Sequence, residues 1–210
     1  MKDNIFSRRS FLKGALAGTV LLMSAPSFAS ELIPQPHEEA SGMANGEPAE
    51  EPRVEIKGDM AKEGRLRLYR NRTDERIDVV FRNAYGEYDP EALAAINRIM
   101  RCHYNGEETG IDIQVIEYLN ALDNRIGGGG NEINIVSGYR SREYNDLLRK
   151  RSRRVAKHSF HLTGQAIDFH IPSAKLGKVR HAALKLGYGG VGYYPKGHFI
   201  HIDSGKFRYW

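Results

Sequence analysis

From Arg65 onward, apolar and polar positions alternate at two distinct periods. In "RLRLYRNRTDERIDVVFRN", Leu66 and Leu68 alternate with arginines, residues 71–75 turn, and Ile77, Val79 and Phe81 share one face. That period-two pattern predicts a β-hairpin. Asp89-Pro90 then opens a helix, with a cap residue followed by a proline in the first turn, where its missing N–H costs nothing. The helix carries an apolar stripe of Leu93, Ile96 and Met100. A second stripe of Val115, Leu119, Leu122 and Ile126 recurs at helical spacing, and four glycines at 127–130 end it. "EINIVS" predicts a short buried strand, residues 141–149 a helix, and residues 166–171 another strand. Leu176, Val179, Ala183 and Leu186 line one side of a further helix, and "GVGYY" and "HFIHID" predict two closing strands. The pattern is α+β, with helices packed on a small, largely antiparallel sheet.

Two stretches lie outside this pattern. The chain opens "MKDNIFSRRSFLKGALAGTVLLMSAPSFAS", in which the pair Arg8-Arg9 precedes an apolar run at 15–23 and small residues Ser27 and Ala29. The run is too short for a bilayer core of about 30 Å and reads as a secretory leader cleaved after Ala29. "SRRSFLK" resembles a twin-arginine export signal, which implies the twin-arginine machinery as partner of the precursor. Residues 30–62, containing "PQPHEEASGMANGEPAEEP", hold hardly any large apolar side chains and cannot bury enough surface to offset chain entropy. The expected organisation is a leader at 1–29, a disordered spacer at 30–62 and one domain at 63–210. The expected product is periplasmic, with no stable membrane anchor after cleavage.

Charge and cysteine narrow the partners. The whole chain carries +5, of which Lys2, Arg8, Arg9 and Lys13 against Asp3 account for +3, leaving about +2 after cleavage. One basic run survives, "RKRSRR" at 149–154. An exported protein seldom meets nucleic acid, so the run reads as a solvated helix end or a contact for an acidic wall polymer, and no nucleic-acid partner is expected. Cys102 is the only cysteine, which excludes an internal disulfide and leaves a core, with or without a metal, to stabilise the domain.

The candidate chemistry is concentrated in "HSFHLTGQAIDFHI", where His158, His161, Asp168 and His170 fall within fourteen positions. A catalytic zinc takes three protein ligands from His, Asp or Glu and keeps one position open, commonly two from a close pair and one from a distant element. The distant element here is "HFIHID". On that strand His201 and Asp203 point one way and His198 and Ile202 the other. Geometry alone does not choose among His158, His161 and His170. Gly164 suggests a close backbone approach, which favours its neighbours His161 and Asp168.

"SFHLTGQAID" fits Ser-x-His-x-x-Gly-x-Ala-x-Asp, and with the downstream His-x-Asp it resembles the zinc peptidases of the D-alanyl-D-alanine carboxypeptidase and dipeptidase type. "SGYRS", "SRRVAKHSFHLTGQAIDFHI", "RHAALKLGYGGVGYYP" and "FIHIDSG" through Trp210 extend the likeness over about residues 64–210. The resemblance implies the D-Ala-D-Ala peptidase/hedgehog-like α+β fold, a zinc site, and hydrolysis of peptide cross-links in peptidoglycan. The bond implied is the one joining two diaminopimelate residues, with D-alanyl-diaminopimelate links second. It places the zinc ligands on His161, Asp168 and His201, and a substrate-contacting arginine on Arg140, with Ser137 and Tyr139 beside it. His170 has no ligand role in the family and reads as support or core. Several relatives carry an acidic general base three residues before the last ligand. Here that position is His198, so His198 and Asp203 are both candidates for the base, and Asp203 also for orienting a zinc-binding imidazole. Carboxypeptidase action on stem peptides and a non-catalytic zinc-bearing wall-binding module are the alternatives.

Overall fold

The computed structural model describes residues 63–152 and 155–210. The expected leader and spacer, and Arg153 and Arg154 of the basic run, lie outside the described residues. The first alternation forms a hairpin of β1 (Gly64–Arg70) and β2 (Glu75–Arg82), with Leu68 opposite Ile77 and Leu66 opposite Val79. Asp89 accepts hydrogen bonds from the N–H groups of Glu91 and Ala92 and starts α1 (Pro90–Ile99), a cap worth about 1 kcal/mol. The helix buries Ala92, Ile96 and Ile99, while Leu93 is only partly covered. The buried stripe is therefore broader than the pattern suggests, because Ile99 and Met100 both enter the core at the helix end. Asp112 caps α2 (Ile113–Arg125), and β3 (Glu132–Ser137) follows. Ser141 caps α3 (Arg142–Arg151), whose last turn holds Arg149, Lys150 and Arg151. Those cations complement the unpaired carbonyls of the helix end, which agrees with the helix-end reading for the described part of the run.

After β4 (Ala166–His170) come α4 (Leu176–Leu186), β5 (Gly190–Tyr194) and β6 (Phe199–Asp203). Two elements were not expected: a 3-10 turn over Phe160–Thr163 and a short last strand, β7 (Arg208–Tyr209). Among the described residues seven strands form one sheet in the order β2-β1-β3-β4-β6-β5-β7. Every neighbouring pair is antiparallel except β1–β3 and β5–β7, so the α+β reading with a largely antiparallel sheet holds.

One face of the sheet supplies the core. Leu66, Leu68, Ile133, Ile167, Phe169, Ile200 and Ile202 pack in a single cluster with Ile96, Val115, Leu119, Leu122, Val179 and Ala183 of the helices. Each fully buried Leu, Ile, Val or Phe contributes about 1.5–3 kcal/mol, so this face fixes the register of the strands. Because side chains alternate across a strand, Asp168 and His170 of β4, and His201 and Asp203 of β6, are turned to the opposite face. Cys102 is fully buried, with its Sγ 3.4 Å from the Ser141 hydroxyl. Among the described residues no helix is long and apolar enough to cross a membrane.

Candidate metal centre

Asp168 and His201 sit directly opposite each other in the β4–β6 ladder, and the ladder thereby brings a carboxylate and an imidazole together from residues far apart in sequence. A bulge in β3, where pairing shifts between Ile135 and Ser137, sets Ser137 opposite Asp168. The chain then passes through Gly138 toward Arg140. His161 arrives from the 3-10 turn, whose N-cap Ser159 accepts from the His161 backbone N–H and whose end is Gly164 in the left-handed conformation. A Cβ at Gly164 would collide with the Gly110 carbonyl oxygen. The close approach that this glycine permits is therefore to the 110–112 loop, whose Asp112 N–H donates to Gly164, rather than to a ligand.

The three side chains are buried, with relative exposures of 2 % for His161, 6 % for Asp168 and 3 % for His201. One nitrogen or oxygen from each lies within 4.8 Å of the others. Nε2 of His161 is 3.2 Å from one Asp168 oxygen, and Nδ1 of His201 is 2.8 Å from the other. The remaining nitrogen of each ring is tied to an acceptor. His161 Nδ1–H donates to the Gly138 carbonyl at 2.7 Å, and His201 Nε2–H donates to Asp203 at 3.1 Å. These outer bonds orient the rings so that His161 Nε2 and His201 Nδ1 are the nitrogens turned toward Asp168, the arrangement that metal-binding histidines adopt; a metal there would take the place of the proton that His201 Nδ1 shares with Asp168. A second bond, from the Arg140 N–H to the His161 carbonyl at 3.0 Å, ties the 3-10 turn to the end of β3.

The electrostatics favour a cation where the three meet. Burial pushes the Asp168 carboxyl up, but the His161 and His201 imidazoles outweigh it and hold the group well below the usual carboxylate range. Burial alone would keep His201 neutral, yet its bonds to Asp168 and Asp203 raise it to about 9. For His161, burial dominates and its pKa is lowered. Two imidazoles and one carboxylate in a buried cluster form a donor set suited to zinc, and both rings already present the correct nitrogens.

Around the trio, Arg140 reaches Asp168 at 3.6 Å with its side chain only 13 % exposed, and its buried Nε has no hydrogen-bond partner among the described residues. Tyr139 donates from its hydroxyl to Glu107 at 3.4 Å, while Ser137 is half-buried at the strand end. Asp203 is completely buried and accepts from His201, from both terminal nitrogens of Arg208, and from the N–H groups of Gly190 and Gly205. Burial pushes its carboxyl up, but His201 and Arg208 prevail and hold it well below the usual range. His158 is exposed in a turn and contributes nothing to the cluster. His170 packs beside Asn134, with 3.1 Å between its Nε2 and the Asn134 amide nitrogen, and lies outside the cluster. His198 is exposed at the end of the β5–β6 turn, with φ +54°, and its ring lies 5.3 Å from that of His170. That left-handed residue is the bend His198 needs to leave the strand's alternation, and it brings the ring beside His170.

Sequence reasoning passed over Arg208 and Trp210. The Trp210 ring lies 5.4 Å from the His201 ring, and its indole N–H donates to the Tyr194 hydroxyl at 2.8 Å. For Trp210 the signal in the sequence is the glycine at 192. It pairs with His201, and a Cβ there would come within 2.9 Å of the Trp210 ring.

Comparison with known proteins adds an independent line. The family model described as peptidoglycan L,D-endopeptidase MepK matches residues 59–210. The peptidoglycan L,D-endopeptidase MepK of Escherichia coli K12 is 41 % identical over 145 residues, which is 69 % of this chain and 79 % of that protein. The probable peptidoglycan L,D-endopeptidase MepK of Haemophilus influenzae is 37 % identical over 147 residues, 70 % of this chain and 78 % of that protein. No solved structure matches the chain.

Proposed function

The chain belongs to the peptidoglycan L,D-endopeptidase MepK family, and from that premise we propose that it is a zinc metallopeptidase that hydrolyses peptide cross-links of peptidoglycan. The bond is the L,D link joining two diaminopimelate residues, with D-alanyl-diaminopimelate links second. The observation that supports this reading is the convergence of His161, Asp168 and His201, each offering one ligand atom within 4.8 Å of the others, with His161 Nε2 and His201 Nδ1 beside the Asp168 carboxylate. The proposed site of action is the periplasm, reached through the twin-arginine-type leader at 1–29 and the spacer at 30–62.

In this reading His161, Asp168 and His201 hold the ion. When bound, it supplies Lewis acidity, which lowers the pKa of water toward about 7 and polarises the scissile carbonyl. Arg140 fixes the substrate. Its guanidinium is nearly buried beside Asp168, and its unpartnered Nε suits a two-pronged bond to a carboxylate or to the carbonyl oxygen as charge develops. Asp203 orients His201. Both of its oxygens are committed to donors and its side chain is closed to solvent, which supports orientation over proton transfer. His198 faces solvent and has no part in holding the ion.

Defined cross-linked muropeptides, incubated with the mature protein with and without zinc, test the reading. Zinc-dependent conversion of dimers to monomers is the expected result. Release of single amino acids would instead make the protein a carboxypeptidase, and zinc and wall binding without new fragments would make it a binding module.

A further inference from the structure

We infer that Arg208, on the last strand, is a positioning residue for the metal centre, holding Asp203 so that His201 presents only Nδ1 to the ion. The inference rests on reading His161, Asp168 and His201 as metal ligands. Among the described residues the side-chain hydrogen bonds of Arg208 go to Asp203 and to the Lys206 carbonyl, not to any of the three. Its Nη2 donates to Asp203 Oδ2 at 2.8 Å and its Nη1 to Asp203 Oδ1 at 3.0 Å. This fork-to-fork pair fixes the plane of the carboxylate as well as its place. Oδ2 is the oxygen that also accepts from His201 Nε2 at 3.1 Å. The backbone N–H groups of Gly205 and Gly190 complete Oδ1 at 2.9 and 3.2 Å, so the carboxylate cannot rotate without breaking several bonds.

The guanidinium is itself held on two sides. It lies 5.1 Å from the Phe160 ring and 5.0 Å from the Trp210 ring. Phe160 precedes His161 in the chain, and the Trp210 ring is 5.4 Å from that of His201. The clamp therefore touches residues adjoining both imidazoles. Its space is built in by glycines. A Cβ on Gly190 would meet Asp203 and lie 2.6 Å from Arg208 Nη1, and one on Gly205 would lie 2.7 Å from Phe160. The physical consequence is directional. With Asp203 fixed, His201 Nε2–H stays engaged and Nδ1 is the nitrogen turned toward Asp168 and the ion. With Asp203 loosened, the ring is free to turn and offer the wrong nitrogen. Losing an outer-shell partner of this kind typically weakens metal binding about 10- to 100-fold.

The test measures zinc affinity of the full chain by competition with a chromophoric chelator, and the absorption spectrum of the cobalt(II)-substituted chain, which reports the ligand set without reference to activity. Arg208→Ala should weaken zinc about 10- to 100-fold and alter the cobalt bands. Arg208→Lys keeps the charge but loses the fork and should still weaken zinc several-fold, so it carries the test if Arg208→Ala does not fold. Zinc affinity within about twofold of wild type and an unchanged cobalt spectrum in Arg208→Lys, or in a folded Arg208→Ala, would overturn the inference, even if the melting temperature falls. Absence of zinc binding by the wild-type chain would overturn the metal reading itself, and this inference with it.

Discussion

Replacing Asp203 by asparagine separates orientation from proton transfer, and the structure sets the size of the effect. All five contacts to the Asp203 carboxylate come from donors: His201, two nitrogens of Arg208, and the N–H groups of Gly190 and Gly205. An amide has one acceptor oxygen and one NH2 group. With its oxygen at the Oδ1 position it keeps three contacts and turns its NH2 toward Arg208 and His201. Two hydrogen bonds involving charged groups are then lost, each worth about 1.5–3 kcal/mol. The exposed share of Arg208, 39 %, lets water recover part of that, so the loss of stability should be about 2–4 kcal/mol. The larger effect is on the metal. An NH2 beside His201 Nε2 favours the tautomer with its proton on Nδ1, which lies 2.8 Å from Asp168 and is the nitrogen that the proposed ligand set offers the ion. Zinc affinity should therefore fall about 100-fold, measured by chelator competition, and turnover on muropeptide dimers should recover to within about tenfold at saturating zinc. If Asp203→Asn bound zinc normally yet turned over about 10²- to 10⁴-fold more slowly, Asp203 would be the proton carrier and the orienting role would be refuted.

Three further outcomes follow from the same geometry. His161→Ala or His201→Ala should strip zinc and abolish hydrolysis, since three ligands leave no redundancy, whereas His158→Ala and His198→Asn should keep both. Asparagine tolerates the left-handed conformation at 198, so a crippled His198→Asn with zinc retained would make that imidazole the base. Arg140→Lys should retain zinc but lose at least about tenfold in turnover, about 1.4 kcal/mol in the barrier, and wild-type kinetics would remove Arg140 from the site. His103, packed edge-on against Tyr144, is lowered to about 4 by burial first and then by Arg72, Arg70 and Arg140. A group whose folded pKa lies below its ordinary value favours the fold while neutral, so its contribution is present above about pH 6.5 and is lost as pH falls toward about 4. Because the ring is only half-buried, the loss should be about 1 kcal/mol. Denaturant midpoints that move in parallel for wild type and His103→Gln across that range would contradict it.

The parts of this molecule legible in its sequence are those that local chemistry decides. Asp89-Pro90 announces a helix start, and Asp89 accepts from N–H groups two and three residues ahead, bonds that need no tertiary partner; Asp112 and Ser141 cap their helices in the same way, though neither is read as a cap from the sequence. The hairpin and the strand at 166–170 follow from alternation that one buried face enforces. Spacing alone could not choose among His158, His161 and His170, because the choice depends on events the local pattern does not encode. One is a single 3-10 turn that lifts His161 toward the Gly138 carbonyl. Another is a one-residue bulge that pairs Ser137 rather than Val136 with Asp168. The third is a cross-strand register joining residues 33 apart. The family motif supplied what periodicity could not, since a motif records the outcome of such long-range pairings. For Arg208 there was a quieter signal. Glycines at 189, 190 and 205 would each collide with Asp203 if they carried a Cβ. Glycines on β-strands and at their ends mark places where something must come close; at Gly189 it is the Asp203 backbone carbonyl, and at Gly190 and Gly205 its buried carboxylate. A buried carboxylate with no cation would be costly, so the glycines and Asp203 together require a positive partner nearby in space, and the last strand of the chain provides it.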